Sequence, residues 1–418
     1  MTKSLVIARL KYLGLISLTV TFVAYTVIWD ESTSSFTFKE DGRSANNPLI
    51  SAFRIEDHLA NILSVKRNRM PKAKWKPYLP EVLERFPAEF SNEFRNPCWY
   101  EGAELQCVPY FYQLGACKCG TTDVWDKLIQ HPDVLPVAKE PHWWALRRFG
   151  YTDTPIHRDL VLEIRNKTGQ QDDSSVQWYL NLYRQQAVKQ IQQTPTNIFG
   201  DASITNLWGL GMYYWEEHFP NETSPPVFLS DLIHAVQPKA KIVVILRDPV
   251  DLLWTSYMIG IKNGDRTPEK FEIGTKKYLK EAANCESVHN PLYCAFMCGP
   301  EPHYCLGNKI YQGIFYLYLR EWVEVFGLEN IHVMRLEDWK EDPIGELEGL
   351  IKYLELAPLP HQQLASIVGL ARKNVNKEAK SKNMTMLPST RRTAQDFYRP
   401  WNKLLAGLLK DQKYTWSY

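Results

Sequence analysis

Three short stretches of this chain carry residue types that could hold an anion and move a proton. The first is Gly115-Ala-Cys-Lys-Cys-Gly-Thr-Thr122. Its glycines have the G-x4-G spacing of a phosphate loop. Between a strand and a helix, such a loop offers backbone N–H groups and the positive end of the helix dipole to an anion. A nucleoside triphosphatase needs lysine directly after the second glycine. Thr121 stands there, and Lys118 lies inside the loop. From that place an ammonium could reach the bridge between a phosphate and a group being transferred. An ordinary strand–loop–helix turn with a solvated lysine would look the same.

The second stretch is Lys139-Glu-Pro-His-Trp-Trp144. Taking a proton from a hydroxyl needs a carboxylate or imidazole within hydrogen-bond reach. Glu140 and His142, two residues apart, would share a face of an extended segment. Trp143 and Trp144 could stack on a sugar ring or fill core. The third stretch is Arg247 followed by Thr255 and Ser256. An arginine can grip a phosphate with two N–H groups while a hydroxyl donates a further bond. Arg-Asp-Pro is also a common turn.

These residues need a frame. Val108 to Leu114 reads as a strand, with a helix following from about Thr121 to Gln130. Ile198-Phe199 runs into Gly200-Asp201. Ile242 to Leu246 is a continuous apolar run, the signature of a strand covered on both faces. A helix then begins at Pro249, a favoured first helical position. One long aromatic helix is expected over Ile310 to Phe326, closed by Gly327, and a last strand over Ile331 to Leu336. Strands alternating with helices predict an α/β fold around a parallel sheet, with ligands at the carboxyl ends of its strands.

The first residues read differently. Tyr12 to Trp29 is uncharged and apolar, about long enough to cross a bilayer as a helix. Lys3, Arg9 and Lys11 precede it, which places the N-terminus in the cytoplasm and the bulk of the chain in the lumen. A cleaved signal peptide fits less well, because the run ends in bulky Val27-Ile28-Trp29. The expected organisation is a cytoplasmic tail over 1–11, a transmembrane signal anchor over 12–29, a stem over 30–96 and a globular domain over 97–418. Within the stem, 71–90 suits a short helix against the main domain.

Glycosylation sequons at Asn166, Asn221 and Asn383 suit a lumenal location. So do cysteines in two local groups, Cys98 with Cys107, and Cys285, Cys294, Cys298 and Cys305, read as disulfides. Zinc suits the second group poorly, since it has no C-x-x-C knuckle, and no metal is expected. The net charge of +2 is no footprint for nucleic-acid binding. Anionic partners must be met locally, for which Lys139, Arg147, Arg148 and the basic stretch from Arg372 to Lys382 are available. That stretch, with Arg391 and Arg392, could equally be a solvated loop. A homodimer is left open.

Together the three stretches resemble the carbohydrate sulfotransferase family, and within it the N-acetylgalactosamine 4-sulfate 6-O-sulfotransferase group. The likeness continues through Arg148-Phe-Gly150, Gly200-Asp-Ala-Ser203 with Leu207-Trp208, Asn374 to Lys377, Met386-Leu-Pro388 and Phe397 to Pro400. It implies a sulfotransferase fold and a Golgi enzyme using 3′-phosphoadenosine 5′-phosphosulfate (PAPS), with adenosine 3′,5′-bisphosphate as product. Lys118, Cys119, Gly120, Thr121 and Thr122 would hold the 5′-phosphosulfate. Arg247, with Thr255 or Ser256, would hold the 3′-phosphate. The family has serine eight residues after the arginine, where this chain has Thr255.

On the same likeness Lys118, Glu140 and His142 would act in catalysis, Glu140 as the base. Lys139, Trp143, Arg148 and Ser203 would border a sulfated glycosaminoglycan acceptor. Heparan sulfate is the competing acceptor. A P-loop kinase is disfavoured by Thr121, and a glycan-binding protein without activity by the joint presence of Lys118, Glu140 and Arg247.

Overall fold

A computed structural model describes residues 80–149, 175–208, 226–258, 266–297, 309–373 and 384–418. The expected anchor, the three sequons, Cys298 and Cys305, and most of the basic stretch after Lys373 lie outside the described residues. Among the described residues no helix is long and apolar enough to cross a membrane.

A short hairpin, β1 (Cys98–Glu101) with β2 (Glu104–Cys107), precedes the main sheet, and a disulfide joins Cys98 to Cys107 across it. The main sheet holds β3 (Phe111–Gln113), β4 (Gly200–Asp201), β5 (Lys241–Leu246) and β6 (Ile331–Arg335), in the order β4-β3-β5-β6. Every pairing is parallel. The strand expected from Val108 is shorter as β3, but its pairing runs on: Leu114 N–H donates to the Val243 carbonyl and Ala116 N–H to that of Ile245. Ile242 to Leu246 is fully buried, as a central strand covered on both faces requires. Each such side chain contributes about 1.5–3 kcal/mol by leaving water.

Because the strands are parallel, their carboxyl ends open on one edge, and each delivers a different segment there. β3 feeds the Gly115 loop and helix α1 (Thr121–Leu128). Helix α2 (Val176–Tyr183) packs its Tyr179 and Tyr183 into the core beside Phe199, just ahead of β4. β4 feeds Ala202 and Ser203. β5 feeds Arg247 and helix α3 (Pro249–Tyr257), whose cap is Asp248 accepting from Val250 N–H at 2.8 Å. β6 feeds helix α4 (Leu336–Glu341).

Two expectations change. The helix expected over Ile310 to Phe326 is broken into Lys309–Gln312 and Phe315–Phe326. At the break, a Cβ on Gly313 would sit 2.7 Å from Pro249 and 2.8 Å from Tyr398, so a side-chain-free residue lets three elements meet. The segment before Pro97 is also more than a spacer. Val82 and Phe86 are buried, Phe86 contacts Trp99 edge-on, and Asn96 bonds the Val108 carbonyl and Phe199 N–H. A short helix, Pro80–Arg85, lies within the stretch where one was expected.

Candidate active site

The loop after β3 turns sharply. Gly115 and Gly120 have φ of 136° and 84°, and a Cβ on Gly120 would meet Leu336 of α4 at 2.6 Å. Gly120 caps α1, so the free N–H groups of the first helical turn, Thr121 and Thr122 among them, lie beside Lys118. Burial holds the Lys118 ammonium below its ordinary range. Cys119 is fully buried with its thiol pushed well up, so it stays a neutral thiol, donating to the Cys117 carbonyl at 3.5 Å. Cys117, expected only as a loop residue, is disulfide-bonded.

Arg247 lies beside this loop, its Nη1 donating to the Lys118 carbonyl at 3.4 Å. Its Nε is buried without a hydrogen-bond partner among the described residues, and so is the Ser256 hydroxyl on α3. Buried donors normally have partners. These two suit a bound anion, and with the glycine-lined loop they fit a nucleotide carrying phosphates at both ends. Thr255 is half-buried. Asp248 N–H is held by Glu337 Oε1 of α4 at 3.1 Å, which ties the Arg247 corner to the helix under Gly120.

The segment 139–144 approaches from the β4 side. Lys139 Nζ pairs with Glu140 Oε1, and Glu140 Oε2 lies 3.7 Å from His142 Nε2. The Glu140 side chain keeps 26% of its surface, enough to meet a substrate hydroxyl. Burial pushes the Lys139 ammonium down to about 7, with Asp201 opposing the shift and Lys118 adding to it. His142 is fully buried, which drives its imidazolium down to about 3 and leaves it neutral near pH 7. Lys118, Glu140 and His142 have positive φ (61°, 63° and 52°), three of seven such non-glycine residues among the described ones. Strained backbone of this kind gathers at functional sites.

Four expected roles change on this geometry. His142 is sealed behind Glu140, with Nδ1 2.8 Å from Thr205 Oγ1, so it cannot touch an acceptor and instead flanks the carboxylate. Trp143 is core: its ring stacks on Tyr179 at 4.6 Å and its Nε1 donates to the Ser175 carbonyl. Ser203 is fully buried and accepts the His142 N–H at 2.9 Å, so it supports the segment rather than lining a surface. Arg148 places its guanidinium 5.9 and 5.6 Å from the Trp143 and Trp144 ring centres, where its charge serves that aromatic packing.

Other neighbours were missed. Asp123 accepts Trp339 Nε1 at 3.0 Å and Lys373 N–H at 2.9 Å, fixing α1 to α4 and to the start of the basic stretch. An acid in a first helical turn reads only as dipole compensation. Asp201 accepts Ser203 N–H and the Tyr179 hydroxyl, each at 2.9 Å. Its place in Gly-Asp-Ala-Ser was the available signal. Of the second cysteine group, Cys285 and Cys294 are bonded to each other. Among the described residues no group of three or more His, Cys, Asp or Glu is placed to hold a metal ion.

The chain is similar to known sulfotransferases. Residues 215–403 match the family model described as Sulfotransferase domain. Carbohydrate sulfotransferase 15 of Homo sapiens is 29% identical over 365 residues, covering 82% of this chain and 62% of that protein. Its Mus musculus counterpart is 30% identical over the same coverage. The bifunctional heparan sulfate N-deacetylase/N-sulfotransferase 4 of Mus musculus is 19% identical over 66% of this chain and 27% of that protein. The chain thus spans less than two thirds of the length of these relatives. A sulfotransferase domain model matches residues 215–403, and along most of its length the chain is similar to carbohydrate sulfotransferase 15.

Proposed function

We propose that the chain transfers a sulfuryl group from PAPS to a glycan hydroxyl. The observation that carries the reading is the meeting of two grips at one sheet edge, with Arg247 reaching the carbonyl of Lys118. The loop of 115–122 takes the 5′-phosphosulfate, and Arg247 with the Ser256 or Thr255 hydroxyl takes the 3′-phosphate. Glu140 accepts the proton of the acceptor hydroxyl as its oxygen attacks sulfur. The bond from sulfur to the bridging phosphate oxygen breaks, and Lys118 stabilises the charge that gathers there, a preorganised electrostatic contribution. Adenosine 3′,5′-bisphosphate leaves.

The acceptor proposed is C6 of an N-acetylgalactosamine 4-sulfate in chondroitin or dermatan sulfate, supported by the relation to carbohydrate sulfotransferase 15. Lys139, which pairs with Glu140, would meet a sulfated acceptor in its protonated form. A heparan sulfate acceptor is the second reading, favoured by the weaker heparan sulfate relatives. The proposed setting is the Golgi lumen, behind an anchor at residues 12–29. The test is reaction of labelled PAPS with chondroitin 4-sulfate, chondroitin, dermatan sulfate and heparan sulfate, followed by disaccharide analysis. A new 4,6-disulfated disaccharide is the expected product. Label confined to heparan sulfate overturns the acceptor, and no label in any glycan overturns the activity.

A further inference from the structure

The segment carrying Glu140 lacks regular hydrogen bonding, yet Glu140 and His142 hold φ of 63° and 52°. Something outside the segment must keep them there, because the left-handed region costs an ordinary residue about 1–2 kcal/mol. The groups that do so descend to one buried charge. Ser203 Oγ accepts the His142 N–H at 2.9 Å. Ser203 N–H donates to Asp201 Oδ1 at 2.9 Å, and the Tyr179 hydroxyl donates to Asp201 Oδ2 at 2.9 Å. Asp201 and Ser203 are fully buried, so neither meets a substrate. Asp201 is the last residue of β4, and its register opposite Tyr112 of β3 fixes its height in the sheet. The chain of bonds therefore runs from the sheet, through a carboxylate and a hydroxyl, to the backbone two residues after Glu140.

We infer that Asp201 is the positioning residue of the proton-accepting segment, acting through Ser203 on the backbone of His142. The inference rests on Glu140 being the base of the proposed reaction. A buried carboxylate is costly unless hydrogen-bonded, and its two bonds hold it in place. The titratable groups around it are Tyr112 from β3, Tyr179 and Tyr183 from α2, and Lys139 and His142 from the base segment. Its negative charge favours the ammonium of Lys139, which pairs with Glu140.

Three substitutions in the full chain test the bonds. Ser203→Ala leaves the carboxylate but strips the buried His142 N–H of its acceptor, and should lower kcat about tenfold or more. Asp201→Leu fills the same space without the bonds and should lower kcat similarly. Asp201→Asn, which can accept from Ser203 and donate to Tyr179, should keep most of the wild-type kcat, a rescue that a space-filling role would not show. All three variants should bind adenosine 3′,5′-bisphosphate as wild type does by calorimetry, showing that the fold and donor grip persist. Wild-type kcat in Ser203→Ala, or equal kcat in Asp201→Leu and Asp201→Asn, overturns the inference. Wild-type protein that neither binds the bisphosphate nor transfers sulfate overturns the proposed function instead.

Discussion

The two halves of the site are built by different means. The proposed donor half is made largely of backbone, with the side chains of Lys118, Arg247 and Ser256 added to it: strand ends, a glycine-lined turn and the first turns of α1 and α3, all fixed by the parallel register of β3, β5 and β6. The base half is made of buried side chains, with Ser203 and Thr205 holding His142 and Lys139 pairing with Glu140. A backbone site tolerates change in most side chains and fails at its glycines. A side-chain site fails wherever one partner is removed. Binding should therefore follow the first half and rate the second, with Lys118 belonging to both.

That contrast can be broken at Lys118. Lys118→Ala should lower sulfate transfer from labelled PAPS by about a hundred- to a thousandfold, as loss of one preorganised charge donor does. Circular dichroism should remain that of the wild type. Comparable activity in mutant and wild type would remove the residue from the chemistry. On the base side, Glu140→Gln should lower kcat by about 10²–10⁴, yet still bind an adenosine 3′,5′-bisphosphate column. Loss of binding would place Glu140 in the donor half and dissolve the distinction.

Arg247→Ala sharpens it from the other direction. A charge-assisted bidentate contact is worth roughly 1.5–3 kcal/mol, about ten- to a hundredfold in affinity. Calorimetry should show that loss for adenosine 3′,5′-bisphosphate and little change for adenosine 5′-monophosphate. Equal losses for both would reassign Arg247 to the 5′ end. The last effect concerns pH and stability rather than activity. His142 keeps its proton only below about 3 in the folded chain, against an ordinary 6.5. Between those values the unfolded chain binds a proton that the folded one does not, so stability should fall as pH drops from about 6.5 toward 3. Urea melts of His142→Gln should show a shallower decline, and an identical slope would mean that His142 is not buried as described.

The frame of the proposed donor half was legible in the sequence because its signals are local. Gly115 and Gly120 mark backbone that side chains disfavour, Ile242 to Leu246 marks a doubly covered strand, and Pro249 marks a helix start. The broken helix at Gly313 was not legible, because the reason is contact with Pro249 and Tyr398, far away in the chain. In the base half, residue types pointed to Glu140 and His142, but their division of labour depends on depth. Sequence spacing places both on one face, whereas left-handed backbone at each leaves one at the surface and buries the other. Trp143 and Ser203 were drawn toward the acceptor by their neighbours in the chain, and burial gives them to the core. Asp201 could not be singled out, since its weight comes from Tyr179 and Ser203 meeting it in space.

The bond from Arg247 to the Lys118 carbonyl has a thermodynamic consequence. A group that draws the guanidinium from that carbonyl would reach the loop holding the opposite end of the ligand, and any effect it has there would link the two grips. Linkage of this kind is reciprocal: whatever free energy one occupied grip lends the other is returned in equal amount. A ligand carrying both anions would then bind more or less tightly than its two halves imply by one coupling term, set by a single 3.4 Å contact.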